Sequence, residues 1–593
     1  MQEIKFIKGG YFPKELPPPF YTEKMADNLV DIKTQWELIF NQATTKNTGE
    51  SNSDFKQRRG DFISKYSSSK CWRFNISKGK LARRPLDIPN PKHFIKVVEH
   101  ISEKWSEFQT IFTNSNFSTS YPVEEADPSK RAVKTSSKNV SDLRNRILES
   151  SVNRLIQVKL DISKFYPTIY THIVPWCWIG KEQSKNYFKM TKVDFQAEIA
   201  ASNPIALGYE YSNKLDSAIR ACQDKQSVGI PIGPDTSHVL SELVACKIDE
   251  EFSTTYSHIN AKGCRYYDDY YIFVNTNDEA DIAVKGLQKI LNKYQLELND
   301  KKIEIEQYPI SFENDWVTDL NRFEFKSTNL ANSIKHYFSL IWGIGQRNKS
   351  RTDWVFKYSL RLFEFGTVVI PKKNWRLFEN LLLKTSLIQP AILDITTRIF
   401  LTYKEYVDAT SKSKIKDLVE SIITNHSQIN HNFEVAWALW LAKSFEIQIE
   451  EAIANIVIET KDPAAILILL CMDKEHLLVN GSPDYSSITA ELIDNVLFSE
   501  YWILAYEAVK KNWLTSPNSN LITENKFFSI LSNLDVEYFD CSRQLKIYKN
   551  INPVKENPDV SGAAVNEPVE ELTDTQKQEL HQAAETISLS GIM

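Results

Sequence analysis

Two adjacent carboxylates, Asp268 and Asp269, interrupt the run Arg265-Tyr266-Tyr267-Asp268-Asp269-Tyr270-Tyr271-Ile272-Phe273-Val274, which is otherwise aromatic and β-branched. Side chains of that kind favour strands, and the acid pair falls where a tight hairpin turns. Aspartate is common in turns, so a solvated hairpin tip accounts for such a pair without any ion. Two carboxylates forced together repel, however, and a hard divalent cation held by carboxylates and substrate phosphates is the usual compensation.

A second segment favours the ion. Leu155 to Leu160 reads as a strand, which puts Asp161 at its end, within reach of the hairpin pair, and Ile162-Ser163-Lys164-Phe165-Tyr166-Pro167-Thr168-Ile169-Tyr170 follows. Three carboxylates from a strand end and a hairpin suit a two-metal phosphoryl-transfer site, in which one ion serves the attacking oxygen and the other the leaving pyrophosphate.

In this order the segments resemble the palm motifs of reverse transcriptases. Asp161 to Tyr166 matches motif A (Asp-x-x-x-Phe-Tyr), and Tyr266 to Asp269 matches motif C (Tyr-x-Asp-Asp). Between them, Gly229-Ile230-Pro231-Ile232-Gly233-Pro234 is similar to motif B, ahead of a helix expected from Asp235 or Thr236. After motif C, apolar Ala283, Leu287, Ile290, Leu291 and Tyr294 recur at helical spacing, and Leu298-Asn299-Asp300-Lys301-Lys302 resembles motif D. The resemblance covers roughly the first 330 residues, and four motifs in order are far more specific than any one.

The resemblance implies roles. Asp161, Asp268 and Asp269 are the expected ligands of two Mg2+ ions, for which Mn2+ can substitute, with the backbone carbonyl of Ile162 completing the shell. Tyr166 matches the position whose ring crowds a ribose 2′-hydroxyl, although a packed core tyrosine is the plain reading. Lys302 matches the lysine that protonates pyrophosphate, with Lys301 leaving the register open by one residue. Gly229, Pro231 and Gly233 would border the incoming base pair, yet such loops are often only turns.

Upstream, Lys56 to Lys96 holds twelve Lys or Arg against Asp61 and Asp87, a net of ten positive charges. Within it, Lys80 to Pro91 resembles the fingers motif whose arginines meet the triphosphate, which points to Arg83 or Arg84, since guanidinium grips phosphate oxygens in pairs. A second basic cluster, Lys130, Arg131, Lys134, Lys138, Arg144 and Arg146, fits a nucleic-acid groove or a solvated loop and helix face alike.

The sequence from Asp161 to Trp176, with Gly180-Lys181 after it, looks like the abortive-infection reverse transcriptases of bacterial phage defence. The expected fold is α+β: a right-hand polymerase fingers-palm domain lacking a usual thumb, followed by an all-α HEAT-like helical-repeat domain. The expected divisions are an N-terminal extension (1–55), fingers and palm (56–335), helical repeats (336–550) and an acidic, disordered tail (551–593). Amphipathic helices are predicted at Trp354 to Phe365, Asn374 to Leu387, Ala391 to Asp408, Ile415 to Asn425, Phe433 to Phe445, Ile449 to Glu459, Pro463 to Met472, Ile488 to Leu497 and Tyr501 to Asn512. Trp437, Trp440 and Leu441, at i, i+3 and i+4, read as a buried face. From Asn552 onward eight acidic residues oppose two lysines, which leaves the rest of the chain near neutral.

Seven scattered cysteines suggest a reducing interior with neither a disulfide framework nor a zinc site, and no apolar run approaches membrane-spanning length. Together with an N-terminus that lacks a signal peptide, this predicts a cytoplasmic protein with no membrane partner. A near-neutral body whose positive charge is gathered in the fingers differs from the broad basic surface of a polymerase that grips long duplex. The resemblance to abortive-infection enzymes implies untemplated DNA synthesis from deoxynucleoside triphosphates, a DNA product attached to a protein hydroxyl, and a homo-oligomer. Candidate priming residues include Tyr11, Tyr21, Tyr538 and Tyr548. The alternatives are a templated, RNA-directed DNA polymerase of a retron or retroelement, which would bind RNA, and a non-catalytic helical-repeat interaction protein.

Overall fold

The computed structural model describes residues 2–548, apart from 80, 81, 138, 139, 312 and 482. The acidic tail expected at 551–593 lies outside the described residues, as do Lys80, Leu81 and Lys138.

An antiparallel hairpin of β1 (Trp72–Lys78) and β2 (Ala82–Ile88) carries the fingers sequence. Further on, β3 (Ile156–Asp161), β4 (Lys262–Tyr266), β5 (Asp269–Val274) and β6 (Glu304–Gln307) form an antiparallel sheet in the order β4-β5-β3-β6. The predicted strand therefore exists with Asp161 as its last residue. β5 is buried on both faces, which explains why its residues after Asp269 run aromatic and aliphatic without a polar alternation. Tyr270, Ile272 and Val274 join the main core, while Tyr271 and Phe273 pack with Leu143 from α1 (Val140–Ser151) on the opposite face. The helices α2 (Asp235–Thr255) and α3 (Asn277–Lys293) pack against each other, and α3 also packs against β3 and β5. The start of α2 agrees with the sequence expectation, and the apolar stripe of α3 is buried at Ala283, Leu287, Ile290 and Leu291.

Register in this sheet decides where the acids meet. Asp161 pairs with Asp269 across β3 and β5, and Tyr266 pairs with Asp269 across β4 and β5, so Tyr267 and Asp268 alone make the turn. A one-residue slip would send Asp161 and Asp269 to the opposite face of the sheet.

From residue 330 to 548 the regular structure is almost all helical. Predicted helices are found at Thr352–Glu364, Lys372–Ile388, Ala409–Ser427, Glu451–Glu459, Pro463–Lys474, Trp502–Lys510 and α4 (Asn432–Ser444). Two expectations differ. Ala391 to Asp408 shortens to Leu393–Thr402, and Ile488 to Leu497 is replaced by single turns at Ser486–Thr489 and Val496–Phe498, so its apolar residues plug gaps without helical periodicity. α4 is buried from Phe433 to Ala442, Trp437 and Trp440 included, so it is a central helix and not the amphipathic one expected. Two-residue parallel strands at Ile449–Glu450 and Leu478–Val479 interrupt the helices.

The first residues are woven into the rest. Phe20 bridges Phe539, Tyr21 N–H donates to Tyr538 O at 3.0 Å, Trp36 Nε1 donates to Phe527 O at 3.1 Å, and Asp235 N–H donates to Gly10 O at 2.7 Å. One contiguous core accordingly runs from Phe6 to Phe539, across residues 55 and 335. Cys471 and Cys541, 70 residues apart, are joined as a disulfide with Cα atoms 6.1 Å apart, which corrects the expectation of unpaired cysteines. Their sequence separation hid the pair, because packing of a distant segment, not spacing, brings them together. No helix among the described residues is long and apolar enough to cross a membrane.

Arg265, fully buried, fastens the sheet to α2. Its Nη1 and Nη2 donate to Glu242 at 3.1 and 2.7 Å, its Nε and Nη2 donate to Asp249 at 3.0 and 2.8 Å, and Nη1 also reaches Tyr267 O at 2.8 Å. All five guanidinium protons are thereby used. Tyr270 Oη, Ser115 Oγ and Ser118 Oγ donate to the same two carboxylates, so the extra negative charge is solvated by hydroxyls. Arg265→Met leaves Glu242 and Asp249 buried without a counter-charge, and a loss of about 3–5 kcal/mol is expected. Thermal and urea unfolding of the variant beside wild type measure it.

Candidate active site

The turn that presents Asp268 is held in an uncommon backbone conformation. Tyr267 has φ 53°, a region that bulky side chains rarely occupy. Its N–H donates to Ser120 Oγ at 2.7 Å, its carbonyl accepts from Arg265, and its ring lies against His238 and Tyr266, with centroids 4.8 Å away in each case. These contacts outweigh a strain of order 1–3 kcal/mol and fix the direction of the next residue, Asp268.

The structure brings Asp161, Asp268 and Asp269 together, all buried, with ligand oxygens within 4.8 Å of one another. Asp161 is tied down: Lys302 Nζ donates to Oδ1 and Asn299 Nδ2 to Oδ2, each at 2.9 Å. Ile162, also buried, donates its N–H to Asp268 O at 3.2 Å, which joins the strand end to the hairpin. Asp268 Oδ1 and Asp269 Oδ2 are buried without a hydrogen-bond partner among the described residues. Burial, then the charge of Asp161, pushes Asp268 up to about 7, and burial with both neighbouring carboxylates pushes Asp269 well above the ordinary carboxylate range. Buried acceptors without donors are costly, and a hard cation among three carboxylates would satisfy them, so the residues fit a divalent metal.

Cations line the opposite side. Lys302 Nζ reaches Asp161; burial lowers its pKa, but the Asp161 hydrogen bond and the acid charges raise it overall. The fingers hairpin separates the two candidate arginines by strand alternation. Ile76 pairs with Arg84 and Ser77 with Arg83, so the arginines face opposite sides. Arg83 forms a bidentate pair with Glu434 of α4 at 2.6 and 2.5 Å, and its Nε donates to Asn75 Oδ1 at 2.7 Å. Arg84 lies on the other face of the hairpin: burial lowers its pKa, and Asp268 is the strongest of the charges that oppose the shift, with Glu15 and Tyr166 also contributing. Lys78, on the same face as Arg84, was not singled out from sequence. Burial, then Arg84 and Lys302, lowers its pKa, against the pull of Asp268 and Asp161.

Tyr166 is half-buried, and its pKa is raised by burial and, with Ser241 hydrogen-bonding against the shift, by the charge of Asp268. Its carbonyl accepts from Ile230 N–H at 3.1 Å, so motifs A and B are stitched together. Gly229 has φ 86°, and a Cβ there would lie 3.1 Å from Pro167 O, which leaves room for glycine alone. Pro231 accepts from Ser237 Oγ, and Gly233, φ 129°, precedes α2. Ile232 O accepts from Asp87 N–H at 2.7 Å and so links this loop to the fingers hairpin. Of the second basic cluster, Arg131 binds Asp235 and Arg144 binds Glu313, so both serve as struts. Tyr11, Tyr21 and Tyr538 are buried, whereas Tyr548 is 45% exposed.

Residues 121–313 match the family described as Reverse transcriptase (RNA-dependent DNA polymerase). A reverse-transcriptase domain therefore occupies that part of the chain, with the three aspartates, Tyr166, the Gly229 to Gly233 loop and Lys302 inside it and Arg83 and Arg84 outside it. The protein is an enzyme of the RNA-directed DNA polymerase, nucleotidyltransferase type. Among curated proteins, none matches the chain. A solved structure described as "Structure of apo telomerase from Candida Tropicalis" is similar at 11% identity and TM-score 0.30, covering 80% of this chain and 75% of that one, a likeness too loose to assign a role.

The raised pKa of Asp268 has a consequence for stability. Its ionisation costs nothing well below the ordinary value of 3.8 and costs increasingly up to about pH 7. In chelator, Asp268→Asn is therefore expected to be more stable than wild type at pH 8, by about 1–3 kcal/mol, with the advantage gone at pH 4. Adding a divalent ion stabilises wild type alone; thermal melts across pH with and without Mg2+ read both effects.

Proposed function

We propose that this protein builds DNA by magnesium-dependent transfer of deoxynucleotides at the Asp161, Asp268 and Asp269 cluster. The observation that carries the reading is the pair of buried oxygens on Asp268 and Asp269 without a hydrogen-bond partner among the described residues, in a cluster of three carboxylates whose charge is felt by Lys78, Arg84 and Lys302. Desolvated acids with desolvated bases close by suit a ligand that carries both metal and triphosphate.

In this reading Asp161, Asp268 and Asp269, with the Ile162 carbonyl, hold two Mg2+ ions, for which Mn2+ substitutes. Bound there, the ions would acidify the attacking hydroxyl and offset charge on the leaving pyrophosphate. Arg84 and Lys78 grip the triphosphate, and the clamp on Arg83 holds the hairpin that positions them. Lys302 carries the proton at Nζ that the leaving pyrophosphate takes up. The Tyr166 ring crowds the 2′ position, and the backbone of Gly229, Pro231 and Gly233 borders the base pair.

The finer reading is a cytoplasmic, oligomeric enzyme of abortive-infection phage defence that works without a template and primes from a protein hydroxyl. Its support is the sequence from Asp161 to Trp176, the near-neutral body, and a helical region, residues 336–550, standing where a thumb would follow the palm at 56–335. Of the four tyrosines considered as primers, Tyr548 is the exposed one.

Purified protein incubated with Mg2+ and each labelled dNTP, without nucleic acid, is expected to retain label on a denaturing gel, shifting after protease. Asp268→Ala should lose incorporation entirely, and an active Asp268→Ala protein would refute the site. Label that appears only with a primed RNA template favours the retron or retroelement alternative. Tyr166→Val is expected to raise use of ribonucleotides relative to deoxynucleotides by on the order of tenfold or more, read from competition assays.

A further inference from the structure

Residues just past motif A build a second, distinct cavity. Tyr170, His172, Trp176, Lys185, Phe188 and Tyr209 line a cleft of about 150 Å3, roughly ten times the room that one water needs. It suits a single heterocyclic ring and is too small for a folded segment. Phe188, on the helix Lys181–Lys189, is 77% exposed at its rim, an unusual state for a phenylalanine on a helix whose Tyr187 is buried.

The polar groups of the cleft are positioned. Asp216, fully buried, lies 2.8 Å from His172 Nδ1 and 3.3 Å from Arg220 Nε, so a buried carboxylate stands beside the His172 ring. The His172 ring sits 4.8 Å from Tyr170, which stands edge-on to Trp176 at 6.0 Å. Lys181 Nζ caps the Trp176 ring at 4.3 Å. Lys185 and Lys189 are exposed and form no ion pair among the described residues. Tyr170 bridges Val228, and Gly229 N–H donates to Ile169 O at 2.8 Å, so the cleft is anchored directly to the Gly229 loop.

Aromatic faces interleaved with unpaired lysines form a stacking platform for bases with a phosphate track beside it. We infer that this cleft takes one base of a single-stranded nucleic acid, stacked among Tyr170, Trp176 and Phe188, with Lys185 and Lys189 on the neighbouring phosphates. The inference rests on the polymerase reading only in supposing that a strand leaves or enters near motif A. Asp161 and Tyr170 are nine residues apart, so the two sites lie within about 30 Å of each other.

The test is fluorescence anisotropy of the full chain with labelled oligo(dT) and oligo(rU) of equal length. Phe188→Ala should weaken binding on the order of tenfold, and Lys185→Ala should weaken it and lower the salt slope by about one. Because Phe188 is mostly exposed, its truncation leaves the core intact. Loss on oligo(dT) assigns the occupant to a DNA strand, and loss on oligo(rU) assigns it to RNA. Asp268→Asn should bind as wild type while losing synthesis, so failure of the catalytic reading and failure of this one are separable. A Phe188→Ala, Lys185→Ala double variant that binds both oligonucleotides like wild type overturns the inference. So does one that changes only the sedimentation of the protein, since the patch would then join copies of the chain.

Discussion

Everything at the catalytic cleft hangs on one buried cation. Arg265 sits between two carboxylates of α2 and the carbonyl of Tyr267, and it sets both the position of the hairpin and the direction of its turn. Glu242 is kept ionised by this contact: burial raises its pKa, but the guanidinium outweighs that and lowers it overall. The hairpin would otherwise be a two-residue turn led by a tyrosine with positive φ, a geometry that glycine usually supplies. Rigid support of that kind lets three carboxylates stand together before any ligand arrives, so little reorganisation remains for the chemistry.

The electrostatics divide the cleft into two walls. On the palm side Asp268 and Asp269 are desolvated and repelled, and on the fingers side Arg84 and Lys78 are desolvated and crowded by each other. Neither wall is stable alone, and each shifts its groups toward the neutral form. Lys302, on the palm side, pairs with Asp161. A ligand bearing phosphate and a divalent ion would return both walls to their charged forms.

Much of this was legible in the sequence because the acids lie at strand ends and turns, where position and spacing carry the information. Asp161, the hairpin, the start of α2 and the stripe of α3 follow from periodicity and motif order. The choice between Arg83 and Arg84 was also within reach, since neighbours in a strand face opposite sides, but which side meets the palm depends on long-range docking. The network of Arg265 went unread, although Glu242, Cys246 and Asp249 share one face of α2 at i, i+4 and i+7, a polar stripe in an otherwise buried helix. Lys78 and the Cys471–Cys541 pair were invisible for a plainer reason: their partners are distant in the chain.

The docking of the fingers hairpin on α4 sets how often it is anywhere else. Besides the Arg83–Glu434 pair, Asn75 N–H donates to Asn432 Oδ1 at 3.0 Å and Asn75 Nδ2 to Asn430 O at 2.7 Å. Glu434 is 3% exposed at its side chain while the hairpin is docked, so release of the hairpin would break the Arg83 pair and both Asn75 hydrogen bonds together. The face of the hairpin that carries Arg84 is therefore held by a helix far along the chain, so the helical region shapes the cleft without contributing a residue to it.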